Sequence, residues 1–166
     1  MKIVSVSENQ EKEKRIAITP DIAKKYLDLG FDLTLSENYG EHLGFKDEEF
    51  KKLGAKISSN ENEIISSADV IVQLGLLSDE NISAVKNSQT LIGSFDVHNN
   101  KEKVEHLAKE KINVFSLELL PRITRAQSMD ILSSQANLAG YKAVIESFAN
   151  FKKVIPMMMT AAGTVP

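Results

Sequence analysis

The stretch "TPDIAKKYLDLGFDLTLS" (residues 19–36) decides the fold, because it places a helix directly before a strand. Thr19 is a favoured N-cap residue, and Pro20 suits the first helical position, where the missing N–H has no intrahelical partner to lose. Gly30 ends the helix, since glycine readily adopts the left-handed conformation found after helix C-termini. The β-prone residues 31–36 then predict a strand. The helix is predicted to have one apolar face, made of Ile22, Tyr26 and Leu29.

The same alternation of strand and helix continues along most of the chain. Further strands are predicted at residues 2–6, 55–58, 69–74, 90–95 and 112–119, and further helices at residues 47–54, 60–68, 79–85 and 100–111. Strands that alternate with helices of about 10 residues form βαβ units, so the strands should make one parallel sheet. We therefore expect an α/β fold of the flavodoxin-like or Rossmann-like type, a three-layer lobe with helices on both faces of the sheet.

A long helix is predicted after this lobe, at residues 127–151. Its apolar and small residues recur at helical spacing, at Met129, Leu132, Ala136, Ala139, Ala143 and Val144. A helix of ~24 residues is ~36 Å long, which exceeds what one small lobe needs. We therefore expect an N-terminal lobe at residues 1–126, a connecting helix at 127–151, and at 152–166 the start of a linker to a further lobe.

The composition is typical of a globular protein and excludes several classes of site. Of the 166 residues, 42% are hydrophobic and 26% are charged, and the net charge of −3 is spread along the chain. Nucleic-acid binding requires a clustered basic face, so no nucleic-acid partner is expected. There is no cysteine, and the three histidines lack the spacing of metal ligands, so we expect no metal. We expect neither a signal peptide nor a membrane-spanning segment, and a cytoplasmic location.

Three polar side chains of the predicted lobe have both an ordinary and a functional interpretation. Arg15 is either a solvated charge or a two-pronged partner for a carboxylate or phosphate. His98 follows a predicted strand and would border the binding crevice of a parallel sheet, but with Asp96 it also suits a turn. His42 is an equally weak candidate. No G-x-G-x-x-G sequence occurs, so the chain lacks the usual pyrophosphate-binding turn.

The richest polar cluster is "PRITRAQSMD" (residues 121–130), and two interpretations stay open. In the first, Thr124 and Gln127 form a capping box at the start of the long helix, and Asp130 complements the helix dipole. In the second, Arg122, Gln127 and Asp130 together orient an amide-bearing ring. A primary amide needs both a hydrogen-bond donor and an acceptor, which these three side chains provide.

Three segments resemble one known family. "RIAITPDIAKKYLDLGF" (residues 15–31) resembles the opening of the alanine dehydrogenase and nicotinamide nucleotide transhydrogenase superfamily. "ELLPRITRAQSMDILSSQANLAGYKAVIE" (residues 118–146) is similar to the NAD(H)-binding alpha subunit of the transhydrogenases, and "TAAGTVP" (residues 160–166) to the segment before their glycine-rich Rossmann turn. The resemblance covers essentially the whole chain, and its second segment is long and specific.

The resemblance implies the first lobe of an NAD(H)-binding component in a proton-translocating NAD(P) transhydrogenase. Such an enzyme transfers hydride between NADH and NADP⁺, with NADP(H) held on a partner component and protons crossing a membrane domain. It implies a homodimer that is cytoplasmic and peripheral to the inner membrane through its partner subunits. By the resemblance, Arg122, Gln127 and Asp130 are the catalytic residues that line the nicotinamide, and Ser133 also contacts NAD(H).

The chain departs from the alanine dehydrogenases of the same superfamily. Those enzymes use an early arginine, a lysine after a "DVIV"-type strand and a histidine after the next strand. Arg15 matches the first, but residues 73–77 contain no lysine, and Asp96 stands at the third position with His98 two residues late. An alanine dehydrogenase-like oxidoreductase lobe therefore remains the alternative, beside a non-catalytic docking or oligomerisation module.

Overall fold

Two compact units divide the chain, Met1–Leu120 and Pro121–Pro166. The structure, a computed structural model, describes residues 1–153 and 158–165. The first unit ends at Leu120, six residues before the predicted boundary at 126, because the segment after it makes its contacts within the second unit.

The first unit is built around a parallel sheet. Its strands are β1 Lys2–Ser5, β2 Asp32–Ser36, β3 Lys56–Ser58, β4 Val70–Val72, β5 Thr90–Gly93 and β6 Asn113–Ser116. Its helices are α1 Pro20–Asp28, α2 Asp47–Leu53, α3 Glu61–Ser66, α4 Asp79–Ile82 and α5 Lys101–Lys109, with short 3-10 turns at Glu41–Leu43 and Leu117–Leu119. Every strand pair is parallel, and the spatial order is β3-β2-β1-β4-β5-β6. This is the order of the doubly wound dinucleotide-binding folds, so the predicted fold class is confirmed.

Each face of the sheet carries its own hydrophobic core. Successive residues of a strand point to opposite faces, and Ile3 and Val4 of β1 accordingly belong to different clusters. One cluster is centred on Ile71 of β4 and contains Leu107 of α5, and the other contains Phe50 of α2. Two cores with the sheet between them make the three layers that the sequence predicted.

The helix α1 begins and ends close to the predicted residues. Thr19 occupies the N-cap position with extended backbone, although its side chain makes no capping hydrogen bond. After the helix, Gly30 has φ of +83°, its N–H donates to Leu27 O at 2.9 Å, and the N–H of Phe31 donates to Tyr26 O at 3.1 Å. These bonds satisfy the last carbonyl groups in the Schellman arrangement, which requires a residue in the left-handed region.

The predicted apolar face of α1 is wrong at one position. Leu29 is 70% exposed, whereas Ala23 is fully buried. Leu29 is the C-cap residue, so it lies where the helix turns away from the core.

The second unit contains a 3-10 helix at Thr124–Met129, the helix α6 at Ile131–Asn150, and an antiparallel pair of strands, β7 Met158–Thr160 and β8 Gly163–Val165. The long helix thus begins four residues later than the predicted residue 127. No residue of α6 is buried. Of the predicted linker at 152–166, residues 154–157 and 166 lie outside the described residues. None of the described helices combines the length and apolar character needed to cross a membrane.

Candidate functional site

The carboxyl edge of the sheet is the first place to look for a site. In a doubly wound sheet, ligands bind beyond the carboxyl ends of the strands, where the strand order reverses. Here the reversal lies between β1 and β4, which pair directly through Ile3 with Val70 and Val4 with Ile71. The residues that follow these two strands therefore determine what this crevice can hold.

Glu8 occupies this crevice with its own carboxylate. Its Oε1 accepts the N–H of Leu74 at 2.6 Å, and its Oε2 accepts the N–H of Gly75 at 3.3 Å. Burial raises the pKa of the Glu8 carboxyl above its ordinary value, and the two backbone N–H groups offset only part of that rise. The donors at the end of β4 are thus used within the chain.

Beside Glu8 lies a buried and self-contained set of polar groups. The Tyr39 hydroxyl contacts Ser5 Oγ at 2.8 Å and accepts the N–H groups of Ala17 and Ile18, each at 3.1 Å. Burial raises the pKa of Tyr39 to about 12. The Gln73 amide donates to Val6 O at 2.8 Å, and its oxygen accepts from Val6 N and Ser5 Oγ at 3.2 Å each. These contacts join β1 to its neighbours and satisfy the buried polar groups of Ser5, Tyr39 and Gln73.

Arg15 is engaged by a neighbouring carboxylate. Its Nε donates to Glu13 Oε1 at 2.8 Å and its Nη2 to Glu13 Oε2 at 2.5 Å. This two-pronged pair uses the Nε–Nη2 edge of the guanidinium, one of the edges that an anionic ligand could take.

The two candidate histidines have local roles. His42 Nε2 lies 2.8 Å from Lys14 O, so the ring holds the loop before α1. His98 is exposed and follows Asp96, whose φ of 47° and whose carboxylate bond to Asn99 Nδ2 at 2.8 Å form a turn. The turn interpretation of this segment agrees with the geometry.

The start of α6 has a different cap from the predicted one. Asp130 is the N-cap: its Oδ1 accepts the N–H of Leu132 at 3.0 Å and of Ser133 at 2.9 Å. The Ser133 hydroxyl donates to Asp130 Oδ2 at 2.6 Å. The predicted capping box of Thr124 and Gln127 is wrong, because these residues lie in a 3-10 helix whose N-cap makes no side-chain bond. A carboxylate that accepts two N–H groups and a hydroxyl outcompetes the threonine.

Arg122 and Gln127 are left with exposed side chains. Neither side chain makes a hydrogen bond or ion pair with the residues that the structure describes. The bonds from Ser133 and Leu132 hold the pKa of the Asp130 carboxyl below its ordinary value, and the Arg122 charge adds to this. The segment thus offers a guanidinium, a primary amide and an ionised carboxylate, all accessible, within nine residues.

Sequence reasoning missed two carboxylates that the structure makes prominent, Glu8 and Glu118. Glu118 lies in the 3-10 turn after β6 and accepts backbone N–H groups from the loop after β5. Both residues lie within three residues of a strand's end, at the carboxyl edge of a parallel sheet. A glutamate at that place, with backbone donors expected from the adjacent strand end, is the signal that would have identified them.

The geometry defines a class of protein: a doubly wound α/β lobe of the dinucleotide-binding type, followed in the chain by a segment with an accessible guanidinium, amide and carboxylate. The family described as "Alanine dehydrogenase/PNT, N-terminal domain" matches residues 5–139. The chain belongs to this family.

The relatives with high identity carry transhydrogenase names. The chain is 43% identical to the protein named as the first part of the NAD(P) transhydrogenase alpha subunit of Rickettsia prowazekii, over 99% of the chain and 44% of the relative. It is 42% identical to the protein of the same name from Rhodospirillum rubrum, over 100% of the chain and 44% of the relative. The solved structure of a transhydrogenase from Sinorhizobium meliloti matches with a TM-score of 0.86 and 41% identity, over 99% of this chain and 49% of that one. The chain thus spans about half the length of these relatives.

Proposed function

We propose that this chain is the N-terminal lobe of the NAD(H)-binding component of a proton-translocating NAD(P) transhydrogenase, which transfers hydride between NADH and NADP⁺. The relatives named as transhydrogenase alpha subunits support the proposal. The observation that carries it is the segment 122–130, where Arg122 and Gln127 keep unused hydrogen-bonding groups beside the ionised Asp130.

The polar groups of this segment fit the nicotinamide end of NAD(H). A carboxamide presents one acceptor oxygen and two donor N–H bonds. Arg122 and the Gln127 amide can donate to the oxygen, and the Asp130 carboxylate can accept from the nitrogen because it is ionised. The Ser133 hydroxyl retains acceptor capacity after donating to Asp130. We therefore assign NAD(H) binding to Arg122, Gln127, Asp130 and Ser133.

The chemistry proposed for these residues is positioning. The bound nicotinamide supplies or accepts the hydride, so the protein needs no proton donor or acceptor at the reacting carbon. Arg122 and Asp130 orient the carboxamide and ribose, while Gln127 bridges from the carboxamide toward the second nucleotide on the NADP(H)-binding partner. Holding two reactants at close approach lowers the barrier by removing the entropy of bringing them together.

The exposed apolar residues of α6 are the basis for proposing further partners. Leu138, Tyr141, Val144 and Phe148 are each more than half exposed. Apolar patches of this kind mark interaction surfaces. We propose that they pack against an NAD-binding Rossmann lobe and a second copy of the chain, with the NADP(H)-binding component and a membrane domain completing a cytoplasmic, peripheral assembly at the inner membrane.

The alanine dehydrogenase alternative is weakened by the crevice beside β1 and β4. Arg15 is paired with Glu13, and the Gln73 side chain after β4 is hydrogen-bonded to Val6 and Ser5. The absence of a lysine from residues 73–77 removes the second expected substrate group. A purely non-catalytic docking module would leave the polar groups of segment 122–130 without a use.

The test uses the full-length protein, in which this chain is joined to its remaining lobe. We expect it to reduce an NADP⁺ analogue from NADH only when the NADP(H)-binding component is added. Formation of pyruvate from alanine with NAD would instead support the dehydrogenase alternative. If the protein showed neither activity but formed an intact dimer, the result would favour the non-catalytic docking or oligomerisation module.

A further inference from the structure

Glu118 ties together the ends of two neighbouring strands. Its Oε1 accepts the N–H of Phe95 at 3.1 Å and of Val97 at 3.3 Å, and its Oε2 accepts the N–H of Phe95 at 3.2 Å. Phe95 and Val97 belong to the loop after β5, whereas Glu118 belongs to the turn after β6. One carboxylate thus fixes the exit of β6 against the exit of β5.

The loop that Glu118 holds is itself firmly placed. The Asn100 amide donates to Phe95 O at 2.9 Å, and the N–H groups of Asn99 and Asn100 donate to Asp96 O at 3.0 Å each. Asp96 has φ of 47°, in the left-handed region that aspartate adopts more readily than most other non-glycine residues. The carboxylate is therefore anchored to a well-determined part of the first unit.

The Glu118 carboxylate is ionised. Burial raises the pKa of the Glu118 carboxyl, but the hydrogen bonds from Ser116, Val97 and Phe95 together lower it further, so the pKa lies below its ordinary value. Hydrogen bonds to an ionised acceptor are shorter and about twice as strong as those between neutral groups. An ionised Glu118 accordingly holds the turn more tightly than a neutral side chain would.

Glu118 lies in the chain just before the segment that contains Arg122 and Gln127. Glu118 stands four residues before Arg122, and the turn that contains it closes with the N–H of Leu120 donating to Leu117 O at 3.2 Å. Leu120 is the last residue of the first unit. The carboxylate therefore fixes the chain at the point from which the segment with Arg122 and Gln127 starts.

We propose that Glu118 is a positioning residue for hydride transfer, holding the root of segment 122–130 without touching either nucleotide. This inference rests on the proposed transhydrogenase function. A glutamine side chain at this position keeps the shape but offers one acceptor oxygen in place of two and turns an N–H₂ group toward the N–H donors of the loop. The chain at the start of segment 122–130 is then held less tightly. A displacement of the reacting groups by about an ångström strongly lowers the rate of hydride transfer.

The experiment is single-turnover hydride transfer in the full-length protein with its NADP(H)-binding partner, comparing Glu118→Gln with the wild type. The matched control is Glu110→Gln, which removes an exposed carboxylate after α5. We expect Glu118→Gln to lower the rate constant about tenfold, with the amplitude and the NADH dissociation constant within about twofold of the wild type. Hydrogen exchange should rise in a peptide spanning residues 119–130 and stay unchanged in Glu110→Gln.

The outcomes separate this inference from the function on which it rests. A Glu118→Gln protein with reduced amplitude but an unchanged rate constant has a smaller folded fraction, and the positioning role is then wrong. An unchanged rate constant with unchanged exchange also overturns it. If the wild-type protein transfers no hydride in the presence of its partner, the proposed function fails and the positioning role fails with it. Should Glu118→Gln not fold, Glu118→Asp, which keeps the charge on a shorter arm, takes its place with the same expected fall in rate.

Discussion

Ser133 and Asp130 bind each other twice: the Ser133 hydroxyl donates to Asp130 Oδ2 at 2.6 Å, and the Ser133 N–H donates to Oδ1 at 2.9 Å. This pair starts α6 and at the same time keeps the carboxylate ionised beside Arg122. A helix start and a binding site are therefore compatible in one segment. The cap is supplied by Asp130 with Ser133, and the unused groups belong to Arg122 and Gln127.

The two roles of Asp130 can be separated by substitution. Asp130→Ser keeps a favoured N-cap residue but removes the charge, whereas Asp130→Ala removes both. We expect hydrogen exchange at the start of α6 to rise in Asp130→Ala and to stay near the wild type in Asp130→Ser. NADH binding to the full-length protein, measured by calorimetry, should weaken about five- to tenfold in both, since each loses a charged acceptor. If Asp130→Ser bound NADH with wild-type affinity, Asp130 would only cap α6 and would not bind NADH.

Arg122 offers a second prediction with a close control. Arg122→Lys keeps the charge but loses the planar, two-pronged donor set, so we expect the NADH dissociation constant to rise about tenfold. Arg125→Lys makes the same change three residues further along the same segment and should leave the dissociation constant unchanged. Equal effects of the two substitutions would show that only the net charge of the segment matters.

Glu8 predicts a pH-dependent effect on stability. Because burial raises its pKa in the folded state above the ordinary 4.5, Glu8 stabilises the fold below that value, and this contribution is lost as the pH rises through the raised pKa. Glu8→Gln mimics the protonated acid and removes the dependence. The melting temperature of Glu8→Gln minus that of the wild type should therefore be more positive at pH 7 than at pH 4.

Glu11→Gln controls for the loss of one negative charge in the same loop. If the melting temperature of Glu8→Gln minus that of the wild type fell with rising pH, the N–H groups of Leu74 and Gly75 would lower the pKa of Glu8 more than burial raises it.

Much of the fold was predictable because its determinants are local. Thr19, Pro20 and Gly30 mark the ends of α1 through backbone preferences that neighbouring elements do not override. The apolar run within residues 69–74 predicted a strand, and β4 Val70–Val72 lies inside the sheet. The strand order could not be predicted, since it depends on which helices cover which face.

The sequence showed which polar residue types segment 122–130 contains, but not how they are arranged. Residue types alone favoured Thr124 with Gln127 as the cap of the long helix, whereas Asp130 is the N-cap of α6. Which residue caps α6 depended on backbone conformation, because the backbone of Asp130 is extended and its side chain accepts two N–H groups. Glu118 was overlooked because its partners, Phe95 and Val97, are main-chain groups more than twenty residues away.

The central claim is that Gln127 positions the nicotinamide for hydride transfer, and Gln127→Asn tests it most directly. Single-turnover transfer and NADH binding are measured in the full-length protein with its NADP(H)-binding partner. Gln10→Asn, the same change at an exposed glutamine of the first unit, serves as the control. Shortening the side chain by one methylene should lower the transfer rate constant at least about tenfold while NADH affinity stays within about twofold. Weaker NADH binding with an unchanged transfer rate from the bound complex would contradict the claim.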